Sequence, residues 1–133
     1  MIDVESKIYT PIATALRTAH SGVTVSGEYV RTPSEFPFVS IIEEDNFTTL
    51  THRDTADDEK FATVMYEVNV YSNKGAKKKS ECKAIMKTID EMMYRMNFTR
   101  ISLAPIPNLE NASIYRMTAR YRAETDGTNI YRR

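Results

Sequence analysis

Between Phe61 and Met96 the apolar residues change their period. From Phe61 to Tyr71, Val64, Tyr66, Val68 and Val70 alternate with Met65, Glu67, Asn69 and Tyr71. A repeat of two puts these sets on opposite faces of a strand. Ser72-Asn73-Lys74-Gly75 breaks the run. Beyond it Cys82, Ile85, Ile89, Met92 and Met96 step by three and four, so a helix from about Ala76 to Met96 carries one apolar stripe. Such a stripe faces a partner surface, and with the strands around it predicts an α+β layer design.

The flanking segments supply the other layers. Val4, Ile8, Ile12, Leu16 and Ala19 share one face of a first helix, with Asp3 as its expected N-cap. Pro11 interrupts that pattern; one long helix with a local disturbance is expected, ending at Ser21-Gly22. Val23–Val30 and Phe38–Glu43 read as strands, separated by the proline-bearing loop Arg31–Pro37. Glu44 to about Lys60 is polar and aperiodic, and is expected to form a flexible loop or an extended hairpin arm. After the second helix, Phe98, Ile101 and Leu103 lead into Ala104-Pro105-Ile106-Pro107, where regular pairing is expected to end. Ser113–Ala123 alternates again, with Tyr115, Met117, Ala119 and Tyr121 opposite Ile114, Arg116, Thr118, Arg120 and Arg122. Asp126-Gly127 is a turn before a short tail. The expected architecture is a single domain over residues 1–133 in the order α-β-β-(arm)-β-α-β-β. Its antiparallel-rich sheet has about four to five strands, those joined by short turns antiparallel, and two helices on one face. A chain of 133 residues fits one domain.

Charge divides along the chain. Residues 1–66 hold five Lys/Arg against eleven Asp/Glu, a net of −6, and residues 67–133 hold thirteen against seven, a net of +6. Two unlike patches can steer self-association, or can simply be two solvated faces. No run approaches the ~18 apolar residues of a membrane span. The first twenty residues carry early acids and no apolar stretch, so no secretory signal is expected. A single Cys82 suits a reducing compartment.

Catalytic signatures are missing from the sequence. His20 and His52 fall at a helix end and in the polar arm, and no zinc-ligand spacing, phosphate-binding glycine loop or nucleophile elbow occurs. Asp54, Asp57, Asp58 and Glu59 cluster without the spacing of a calcium loop. Cys82 lies on the apolar stripe with no base beside it in sequence, as a small buried hydrophobe would. Lys74, Lys77, Lys78 and Lys79 crowd the start of the second helix, against its dipole, so a phosphate or acidic partner is one reading and a solubilising surface the other. Met86, Met92, Met93 and Met96 widen the apolar surface of that helix, as core filling or as an adaptable protein contact. No enzyme activity, cofactor or metal is expected.

The block MYEVNVYSNKGAKKKSECKAIMKTIDEMMYRMNFTRISLAPIPN, then IYRMTARYRA and the ending NIYRR, with FPFVSIIEEDN upstream, resembles prophage proteins of the siphovirus tail terminator or tail-to-head joining family. The neighbouring head–tail connector and minor capsid classes are similarly short and α+β. The resemblance implies a structural, virion-borne protein made in the bacterial host cytoplasm. It implies a homo-oligomeric ring, typically a hexamer, that caps the tail tube and docks to the head connector, with DNA only as passing cargo and no membrane. The loop after the second strand, at Glu44–Lys60 here, matches a segment that orders on assembly in such rings. Asp54, Asp57, Asp58 and Glu59 are then expected to meet Arg116, Arg120 or Arg122 of a neighbouring copy, and Lys74, Lys77, Lys78 and Lys79 to face a lumen or a docking partner. A cation-dependent enzyme using the acidic arm and a cytosolic adaptor using the methionine-rich helix are the competing readings.

Overall fold

The computed structural model describes residues 1–30, 33–48, 61–107 and 112–131. Its elements are α1 (Glu5–Ala19), β1 (Thr24–Ser26), β2 (Phe38–Thr48), β3 (Ala62–Ser72), α2 (Lys78–Arg95), β4 (Thr99–Ile106), β5 (Tyr115–Thr125) and β6 (Ile130–Tyr131). One mixed sheet runs β1-β2-β3-β5-β4, and β6 pairs with the end of β5 beyond β4. The α+β class and the order of elements are those the sequence predicts.

The alternating run Phe61–Tyr71 becomes β3, the centre of the sheet. It pairs antiparallel with β2 from Phe38↔Tyr71 to Thr48↔Ala62 and with β5 from Ala62↔Thr125 to Ser72↔Tyr115. Val64, Tyr66, Val68 and Val70 face the helices, in one core with Val39, Ile41, Met117, Ala119, Tyr121 and Ala123. α1 contributes Ile8, Ile12 and Leu16, and α2 contributes Cys82, Ile85, Ile89 and Met93. Both helices therefore cover one face of the sheet.

The helix ends follow their sequence signals with one shift. The Asp3 carboxylate accepts the Glu5 N–H at 3.0 Å, but the cap position itself is Val4. Pro11 sits inside a continuous α1. α2 follows a single 3-10 turn, Gly75–Lys77, and ends with Asn97 at φ 67°. There the Phe98 N–H donates to Met93 O and the Asn97 N–H to Tyr94 O, closing a left-handed cap. That reversal drops Phe98 edge-on against Tyr66, with ring centroids 5.6 Å apart.

Four expectations need correction. β1 is only three residues long, where Val23–Val30 is expected, and it runs parallel to β2. β2 runs past its expected end at Glu43 through Thr48, as the hairpin-arm alternative for the segment allows, while residues 49–60 lie outside the described residues. The strand persists because its partner β3 stays in register below a bulge at Glu44. Pro105 does not stop β4, which pairs through Ile106↔Arg116; β4 is an edge strand, where a missing N–H is tolerated. Ile130 and Tyr131, expected in the tail, pair with β5.

Candidate assembly surfaces

The period of two in the last long strand has the expected result: Arg116, Thr118, Arg120 and Arg122 point away from the helices, opposite the buried Met117, Ala119 and Tyr121. On this open face the central residue is Asn69 of β3, fully buried. Its Oδ1 accepts from Arg116 Nε at 3.1 Å, Arg116 Nη2 at 2.8 Å and Thr118 Oγ1 at 2.6 Å. The Arg116 guanidinium also lies 5.4 Å from the Tyr71 ring centroid. Lower on the same face, Arg120 sits between Glu44 at 3.2 Å and Glu67 at 3.7 Å. The bulge makes this possible, because Glu44 is the extra residue between the pairs Glu43↔Tyr66 and Asp45↔Met65. Burial raises the Glu44 carboxyl above its ordinary pKa; the adjacent Glu67 raises it further and Arg120 pulls it back.

Arg116 and Arg120 thus have partners within their own chain, and Arg122 is exposed beside Met65 and Thr99. The acids expected to meet them, Asp54, Asp57, Asp58 and Glu59, lie outside the described residues. The lysine run is only partly free. Lys74 pairs with Glu81 at 3.5 Å, and Glu81 also accepts Ser72 Oγ at 2.6 Å. Lys78 donates to Ala112 O at 3.0 Å, while Lys77 and Lys79 are exposed.

Cys82 and His20 both make contacts within the chain. Cys82 is fully buried, with Sγ 3.5 Å from Tyr115 O, and burial followed by the Glu81 charge pushes its thiol up to about 12. It is a protonated thiol at neutral pH. His20 joins α1 to α2 through Thr88 Oγ1 at 2.9 Å. Among the described residues no three His, Cys, Asp or Glu side chains are grouped to hold a metal ion. No helix of the described residues is long and apolar enough to cross a membrane.

The fold turns the charge division of the sequence into a division between edges. Around α1, β1 and β2 the described residues carry Asp3, Glu5, Glu28, Glu35, Glu43, Glu44 and Asp45 against Lys7 and Arg17. At the other end, residues 75–106 carry Lys77, Lys78, Lys79, Lys83, Lys87, Arg95 and Arg100 against Glu81, Asp90 and Glu91. The acidic edge holds a cleft of about 470 Å³ between α1 and β1, lined by Glu5, Tyr9, Val25 and Glu28 among others. Tyr9 closes its floor by donating to Val25 O at 3.1 Å. The basic edge holds a groove of about 270 Å³ between α2 and β4, where Met86, Leu103 and Met117 form an apolar bed beside Lys83 and Lys87.

No protein-family model matches this chain, and no curated protein does.

The basic edge is also the more exposed one. All of β4 beyond Thr99 is exposed, including Ile101, Leu103 and Ile106. Pro105 and a bulge at Ile101 make β4 a poor template for strand addition. Sequence reasoning passed over Lys83, Lys87 and Leu103. The signal was there in Lys79, Lys83 and Lys87, spaced four apart and therefore aligned along α2.

Proposed function

We propose that this chain is a structural subunit of the tail-completion or head–tail joining class, which assembles with copies of itself into a ring that caps a phage tail tube and docks to the head connector. The observation that carries the reading is the opposite charge of the two ends of one sheet. Identical protomers close into a ring through heterologous contacts, in which one patch meets a different patch. An acidic edge and a basic edge on opposite sides of each protomer supply such a pair. The resemblance of the strings from Phe38 to Arg133 to tail-joining proteins supports the phage setting. In this reading the chain performs no covalent chemistry, its partners are its own copies, the tail tube protein and the connector, and DNA only passes through.

Electron microscopy of the purified chain mixed with tail tubes of the encoding prophage tests the reading. The expected result is a ring of density at one end of each tube, together with a ring mass in native mass spectrometry. Tubes with bare ends and a chain that remains monomeric overturn it.

A further inference from the structure

We infer that the contact between neighbouring copies is edge to edge: the α2–β4 groove of one copy seats on the α1–β1 cleft of the next. This rests on the ring reading and names the surface it uses. Lys83 and Lys87 are exposed one helical turn apart on α2 and flank the apolar bed formed by Met86 and Leu103. Glu5 and Glu28 are exposed on opposite walls of the cleft. The two sites carry opposite charge, lie at opposite ends of the sheet order, and cannot meet within one protomer. A second copy is therefore the occupant that satisfies both at once. Leu103 loses its exposure when the groove is covered, while the lysine and glutamate pairs set register and exclude the reversed orientation. The open face, with Arg116 and Arg120 already bonded internally, is left for other partners of the ring.

Complementary charge reversal tests the contact. One variant carries Lys83→Glu and Lys87→Glu, a second carries Glu5→Lys and Glu28→Lys; all four side chains are exposed, so both variants should fold, as circular dichroism checks. Each chain is assayed alone and with tail tubes by native mass spectrometry and microscopy. Each variant alone should lose self-association by ~10-fold or more, the equivalent of one unit in log Kd. An equimolar mixture should regain it, because each copy then presents the sign that its neighbour needs, and the regained rings should contain an even number of subunits alternating between the two variants. A wild-type ring that either variant leaves intact, or that the mixture fails to restore, overturns the contact and leaves the ring reading standing. A wild-type chain that forms no ring under either condition overturns both.

Discussion

Asn69 gathers three donors onto one oxygen in the middle of the sheet. Arg116 approaches it twice and Thr118 once, while the Asn69 amide turns to Glu67 Oε1 at 3.1 Å. The side chain is fully buried, so water is a poor replacement for any of these bonds. Asn69→Ala removes the acceptor and leaves a charged guanidinium and a hydroxyl to find others. The expected loss is ~1–3 kcal/mol of folding stability, read as a lower urea midpoint at unchanged slope. Asn69→Asp keeps the acceptor and adds charge beside Glu67 as well as beside Arg116, so it should recover part of the loss at low pH and less at neutral pH. The sequence placed the three arginines on one face because a strand's period is two. Their partners escaped it, since Asn69, Glu67 and Glu44 sit on other strands and only the register brings them together.

α2 is the element on which the core most depends, because its stripe packs against both β3 and β5. Ile85 and Ile89 are fully buried at its centre, in the same core as Val68, Val70 and Ala119. Ile89→Ala should cost ~2–5 kcal/mol, the range for a truncated core aliphatic whose cavity only partly collapses. Calorimetry should show the fall in Tm, and the charge pattern of the basic edge should be unchanged, so any residual ring formation at low temperature separates folding from assembly. β3 and α2 were legible because β3 alternates over four pairs of residues and the α2 stripe repeats over about four turns. β1 was not: its direction depends on the route the chain takes before β2, which no local pattern encodes. β2 was read too short because Glu44–Thr48 are mostly polar and carry no period, and β4 because Pro105 is an obstacle only in an interior strand.

At the scale of the molecule, charge and apolar surface play separate parts. The core lies between the sheet and two helices and owes little to ion pairs. Lys74–Glu81, Arg100–Asp90 and the two pairs of Arg120 are all at least partly exposed, and such pairs are worth ~0–1 kcal/mol each. The edges differ: their attraction depends on sums of charge held apart until two copies approach. Exposed charges of this kind are screened over a Debye length of ~10 Å at 0.1 M salt and ~3 Å at 1 M. Raising NaCl from ~0.05 to ~0.5 M should therefore weaken ring formation by at least tenfold while moving the thermal unfolding midpoint of the monomer little. Sedimentation velocity at fixed protein concentration reads the first quantity and circular dichroism the second. Assembly that strengthens with salt would mean that the apolar bed around Leu103, and not the lysines beside it, drives association; each charge-reversed variant would then keep its self-association without the other.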